Sequence, residues 1–324
     1  MQKICVNMEY LILILSLAGI VLGADFLVKG AVVVARKCRV SSFVIGAVIV
    51  GIGTSLPELV VSTVGAIGGN SEVAIGNVVG SNIFNVFAIL GLTALFFPIA
   101  VSRENMKFEI PFCIAVSILL MLLVYNFFIV GEPRLGRWDG AALLLVFTSF
   151  MWISLRRGKS SAATVGESVE EVNKSLWFAA FSILGGLAAL IVSSNFFVDE
   201  AVAIARKLGV SDAFISITLL ACGTSLPELA ASVTAAVKKD TDMALGNIIG
   251  SNIFNATMIL GTASLITPLT TGKIGLVDYG AMILAAVLPM IFGIRGKITR
   301  IEGLLMLLCY AAYTWYIVTY VMAV

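Results

Sequence analysis

The sequence predicts an all-α polytopic membrane protein, with ten transmembrane helices arranged as two inverted five-helix repeats. Three observations carry this. Of 324 residues, 60% are hydrophobic and only 12% charged, where soluble domains carry about 25% charged residues, and the mean hydropathy is +1.06. Apolar runs long enough for a bilayer core, which needs about 20 residues, recur along the whole chain. Two motifs each occur twice, 170 residues apart.

The apolar runs fall at roughly 9–28, 41–68, 73–98, 108–130, 139–156, 176–198, 211–237, 243–267, 275–293 and 301–322. The first has features of a secretory leader: Lys3, an apolar stretch and the small pair Gly23-Ala24. Its match to 184–198, with Asp25-Phe26 falling on Asn195-Phe196, assigns it to the fold instead. Met8 is an alternative start, and residues 1–7 are expected to be dispensable. The second run would be about 42 Å long as an unbroken helix at about 1.5 Å per residue, so it has room for a break near 51–57. The longest polar stretch marks residues 156–175 as a cytoplasmic linker between a first repeat, 1–155, and a second, 176–324.

The repeat rests on residue identities. GTSLPEL at 53–59 recurs at 223–229, and GSNIFN at 80–85 recurs at 250–255, preceded by Gly76-Asn77 and Gly246-Asn247. A weaker match runs at the same offset from Ala35-Arg36-Lys37 and Ala205-Arg206-Lys207 to Pro98 and Pro268. Five segments per half is an odd number, so the second half enters the membrane in the opposite sense, as in many secondary transporters. With the N-terminus outside, inner loops hold 15 of the 21 basic residues, which places both termini on the extracytoplasmic side of the cell membrane.

Composition also excludes functions. Histidine is absent and the five cysteines are scattered singles, so there is no His-ligated metal, no Ser-His or Cys-His pair and no disulfide framework. A net charge of +2 implies no nucleic-acid partner. With no cofactor motif and no soluble catalytic domain, a transporter rather than an enzyme is expected.

Two acids stand apart. Glu58 and Glu228 sit in the middle of long apolar runs, at equivalent places in the repeats. A charge at the bilayer centre costs at least about 2.5–3.5 kcal/mol, so a cation, a proton or a polar network must compensate each one. Oxygen donors surround them at helical spacing: Thr54, Ser55, Ser81 and Asn85 in the first half, and Thr224, Ser225, Ser251 and Asn255 in the second. Taken singly, such Ser and Thr are helix-packing residues; their grouping around an acid, twice, argues for a site. Asn82 and Asn252 fit capping or bracing as well as ligation. Pro57 and Pro227 lack an N–H, which frees the carbonyls of Gly53 and Gly223, and irregular backbone at membrane depth persists only where protein, water or an ion satisfies it. An all-oxygen set selects group I and II cations. Two carboxylates with amides, hydroxyls and carbonyls match the 6–8 oxygens of calcium, in a site that sodium also fills.

The paired GTSLPE and GSNIFN blocks resemble the two alpha-repeats of the sodium/calcium exchangers, in the calcium:cation antiporter superfamily, over essentially the whole chain. The resemblance implies a calcium/sodium antiporter working by alternating access, functional as a monomer and without a cofactor. Glu58 and Glu228 would be the central calcium ligands, and Thr54, Ser55, Ser81, Thr224, Ser225 and Ser251 calcium or sodium ligands. Asn85 and Asn255 are the remaining pair, and the carbonyls of Gly51 and Ala221 fall where the family uses backbone oxygen. Some members, the potassium-dependent ones included, have Asp in place of Asn255. The family's large regulatory domain between the halves is missing. The rivals are a calcium/proton antiporter, since membrane carboxylates can trade an ion for a proton, and a cation channel, which an inverted repeat within one chain suits less well.

Overall fold

The structure, a computed structural model, describes residues 2–125, 133–158, 175–208 and 221–321. Its helices are α1 (Gln2–Cys38), α2 (Ser42–Thr54), α3 (Leu56–Ile67), α4 (Ser71–Phe96), α5 (Asn105–Tyr125), α6 (Arg137–Gly158), α7 (Leu176–Lys207), α8 (Ala221–Gly223), α9 (Leu226–Val237), α10 (Thr241–Ile266), α11 (Leu276–Gly293) and α12 (Arg300–Thr319). Among the described residues, eight helices are each long and apolar enough to cross a membrane, and α2 with α3 makes a ninth, bent span. Of the expected segment 211–237, only α8 and α9 are described, and the expected linker lies mostly outside the described residues.

Two helices run further than the apolar pattern implies. α1 passes through Lys29, because Lys29 Nζ reaches Asp25 Oδ2 one turn back at 2.6 Å. α7 likewise continues to Lys207, whose ammonium is paired with Glu9 near the start of α1. α1 and α7 pack along one another, joined by that ion pair at one end.

The two halves interlock. α2 lies along α10 while α3 lies along α4, and in mirror fashion α8 lies on α4 while α9 lies on α10. α12 packs on α4 and α6 on α10, each fifth helix bracing the third span of the opposite half. Four two-residue strands repeat the exchange: β1 (Ile99–Ala100), β2 (Arg134–Leu135), β3 (Leu269–Thr270) and β4 (Lys297–Ile298), with β1 antiparallel to β4 and β2 to β3. Their register, Ile99 on Ile298 and Leu135 on Leu269, corrects the expectation of a constant offset. β1 and β3 are 170 residues apart, but β2 and β4 are 163 apart. The same 163 relates the caps at the start of the fifth helices, Gly136 N to Asp139 Oδ2 at 2.8 Å and Thr299 N to Glu302 Oε2 at 2.6 Å. Seven residues are lost between the third and fifth spans, where no reciprocal contact holds the two halves in register.

At the crossing of α2 and α10 the backbones almost touch. A Cβ on Gly246 would lie 2.2 Å from Phe43 O, and one on Gly250 would lie 2.4 Å from Ala47 Cα. Close backbone approach through small residues is how membrane helices associate. Gly250→Val is therefore expected to destabilise the protein by about 1–3 kcal/mol, read as a fall in the unfolding midpoint in detergent. Gly185→Ala on α7, where nothing lies within 4 Å, should leave that midpoint unchanged or raise it; equal losses from both substitutions would refute the packing argument.

Candidate functional site

The break between α2 and α3 falls at Ser55, which leaves helical geometry with φ −83° and ψ 10°. The two helices meet at a 47° bend. Leu56 and Pro57 open α3, where an N–H would have no helical acceptor, and Glu58 lies in its first turn. The second half repeats this: Ser225 has φ −92° and ψ 8°, followed by Leu226, Pro227 and Glu228. Each glutamate thus stands at the positive end of a half-helix, where the dipole favours a carboxylate. In α4 and α10 the helix widens by one residue per turn over Asn85–Leu90 and Asn255–Ile259, beginning in both cases at the candidate asparagine. Such wide turns occur frequently at functional sites.

The structure brings the predicted residues to one junction of the two halves. Glu58, Glu228, Thr54, Ser55, Ser225, Ser251, Asn85 and Asn255 are fully buried, and Ser81 nearly so; Thr224 is half-buried. The hydrogen bonds are reciprocal about a two-fold axis. Ser55 Oγ donates to Glu228 Oε1 at 2.8 Å, and Ser225 Oγ donates to Glu58 Oε1 at 3.0 Å. Symmetry fails at the next serines: Ser81 Oγ is 3.5 Å from Glu58 Oε1, while Ser251 Oγ donates to Gly51 O at 3.1 Å. The Gly51 carbonyl also accepts from Ser55 N at 3.1 Å, so it is engaged within the protein. Ala221 opens α8, which rests on α4. Thr54 Oγ1 lies 3.0 Å from Val50 O and 3.3 Å from Asn247 Oδ1.

Asn82 and Asn252 brace the site. Each side-chain amide donates to the other residue's carbonyl, both at 3.1 Å. Each Oδ1 accepts from the asparagine three residues on in the opposite half: Asn85 Nδ2 to Asn252 Oδ1 at 3.0 Å, and Asn255 Nδ2 to Asn82 Oδ1 at 3.2 Å. Because each brace uses its N–H₂ on a carbonyl, its oxygen must accept, so Asn85 and Asn255 must present nitrogen to it. Their own oxygens are thereby turned away from the brace.

Two residues were not singled out as site residues by the sequence pattern. Asn77 Nδ2 donates to Glu58 O at 3.2 Å and Ser62 Oγ at 3.0 Å; Asn247 Nδ2 donates to Glu228 O at 3.2 Å and Ser232 Oγ at 2.8 Å. These bonds clamp the turn that carries each glutamate. The available signal was their own repetition 170 residues apart, just ahead of GSNIFN.

Among the described residues, Glu58 Oε2, Glu228 Oε2, Asn85 Oδ1 and Asn255 Oδ1 are buried without a hydrogen-bond partner. Native proteins seldom leave buried acceptors so, and all four are lone-pair oxygens with no donor to offer in the ionised, correctly turned state. No group of three or more acidic or cysteine side chains gathers among the described residues, so a cation here would take most of its ligands from neutral oxygens.

Comparison with known proteins agrees with this geometry. The profile described as sodium/calcium exchanger protein matches residues 8–156 and 178–319. CaxA of Alkalimonas amylolytica, an assigned antiporter, is 37% identical over 93% of this chain and 97% of its own. The sodium/calcium exchanger MaX1 of Methanosarcina acetivorans is 34% identical over 95% of this chain and 98% of its own. A solved structure of the sodium-calcium exchanger NCX_Mj superposes with a TM-score of 0.82 at 32% identity, covering 97% of this chain and 99% of that one. With its doubled motifs, bent spans and reciprocal polar junction, the chain is a multi-pass membrane transporter that belongs to the sodium/calcium exchanger family.

Proposed function

We propose that the protein exchanges calcium for sodium across the cell membrane by alternating access, with Glu58 and Glu228 as the charged ligands of one shared site. The observation that carries this reading is the set of four unpartnered oxygens, two carboxylate and two amide, in repeat-related pairs. Two carboxylates balance one calcium ion. The serine hydroxyls that now donate to them can rotate and turn lone pairs to an entering cation, and Thr54, Thr224, Ser81, Ser251 and the Gly51 and Ala221 carbonyls complete the oxygen set. Sodium ions filling the same oxygens exclude calcium. An empty carrier would reorient two uncompensated buried charges, which is costly, and so exchange is favoured over leak. In this reading 1–155 and 176–324 are the moving halves, and the basic ends of α1, α6 and α9 face the cytoplasm with both chain termini outside.

Sodium coupling is favoured over proton coupling by the number of neutral oxygens, which can ligate sodium but have no use for a proton. Sodium loaded inside proteoliposomes is expected to drive calcium-45 uptake, and a proton gradient of equal size to drive little. Strong proton-driven uptake without sodium would select the rival antiporter; uptake with no counter-ion at all would select a channel.

Glu58→Gln and Glu228→Gln should each lower calcium affinity by about 100-fold or more, because each leaves calcium's second charge unbalanced in a buried site. Thr54→Ala and Ser225→Ala, each losing one neutral donor, should be milder. Calorimetry on gel-filtration-matched protein checks this, and wild-type affinity in either Gln variant would dismiss a site built from both carboxylates.

Acid should inhibit transport, since a proton on either carboxylate removes charge that calcium needs. Calcium exchange is expected to fall steadily as pH drops from about 8 to about 5; a flat profile would count against competition at these groups.

A further inference from the structure

The near-exact symmetry of the junction makes one departure from it informative. Asp25 of α1 is held by two lysines: Lys29 at 2.6 Å, and Lys238, just beyond α9, at 2.6 Å from Oδ1 and 3.2 Å from the Asp25 carbonyl. The symmetry-related positions in the other half are Asn195 on α7 and Gly68 just beyond α3, which cannot form an ion pair. The turn at Lys238 carries a further sign of this selection. Lys239 adopts φ +65°, where the equivalent Gly69 has φ +74°; a left-handed conformation costs a lysine energy that it does not cost a glycine.

Packing follows the same asymmetry. α1 lies against α9, but α7 makes no comparable contact with α3. Down one face of α3, Leu56, Val60, Val64 and Ile67 stand exposed, whereas the equivalent Leu226, Ala230 and Thr234 of α9 are half-buried. The α1–α7 pair, itself tied by Glu9 and Lys207, therefore sits closed over the half-helix at the Lys238 end and open over the half-helix at the Gly68 end. In an inverted repeat the second transport state is approached by exchanging the conformations of the halves. Exchange would carry Asp25 away from Lys238 and bring Asn195 towards Gly68, so the ion pair exists in one state only.

We infer that the Asp25–Lys238 pair is a one-sided latch that sets the resting state, holding the access route closed at the basic end of the bundle. The placement of that end in the cytoplasm, and hence an outward-facing resting state, rests on the proposed function; the latch itself rests on the geometry above. The two side chains are 29% and 30% exposed, and a pair of that exposure biases a two-state population by about threefold.

The test needs no transport. Spin labels on Val64→Cys and Phe196→Cys, in a chain whose native cysteines are replaced, report the separation of α3 and α7 by pulsed electron resonance. Asp25→Asn and Lys238→Gln should each raise the population with α7 close to α3 by about threefold, the two together should do no more than either one, and Lys238→Arg should keep the original distribution. Glu9→Gln, which loosens only the α1–α7 pair, should leave the ratio unchanged. Building the missing pair with Asn195→Asp and Gly68→Lys should shift the ratio in the same direction as breaking the native one. Unchanged distributions in Asp25→Asn and Lys238→Gln, or effects that add in the double variant, would overturn the latch. If the distributions shift as expected but no calcium exchange is seen in liposomes, the latch stands and the exchange reading fails.

Discussion

Two carboxylates buried where a membrane core would lie constrain almost everything around them. Neither has a basic partner, so their charge is managed by helix ends, hydroxyls and amides. The half-helices begin where they do because Ser55 and Ser225 leave helical geometry, which aims a positive helix end at each acid. The serine of each half binds the acid of the other, so neither half forms a satisfied site alone. The interlocking of the spans is the large-scale expression of this small exchange.

The asparagine lattice adds directionality. A serine can rotate its hydroxyl and act as donor or acceptor, but an amide anchored at its nitrogen offers only oxygen on the other side. The reciprocal bonds of Asn82 and Asn252 anchor Asn85 and Asn255 in this way, while Asn77 and Asn247 hold the peptide groups of the glutamates. Rigid amides and rotatable hydroxyls on one site make a cavity that keeps its shape yet can change its donor pattern when an ion enters or leaves. That combination suits a carrier, which must bind its cargo firmly in one state and release it in the other.

Symmetry is kept and broken in different places. It is closest at the junction, where reciprocal bonds tie residues of the two halves and any slip of register would cost several of them. It loosens in the connections, where the offset falls from 170 to 163 without disturbing the paired strands. It fails outright at Asp25 and Lys238, on the periphery, where one ion pair can bias the conformational balance without altering the site. A carrier that must visit two related states needs a site nearly indifferent to which half is which, and the rim can then differ between its two ends.

Composition, hydropathy and the letter-for-letter recurrence of two blocks determined the fold class, the inversion of the halves and the identity of the two glutamates. These follow from the chain alone because a bilayer requires long apolar spans and makes an isolated acid within one conspicuous. The break near Pro57 was legible too, since a missing N–H is a local property. Only the tertiary structure decided which side of each asparagine faces the site, that Asn77 and Asn247 clamp the glutamate turns, and that Gly51 O is engaged by Ser251. The length of α1 past Lys29 likewise required partners, as an interior lysine reads as a helix end until Asp25 and Lys238 are seen beside it. Each of these depends on contacts between residues remote in the chain, whose geometry is set by how two similar halves pack across an axis, and no local pattern of residues encodes that.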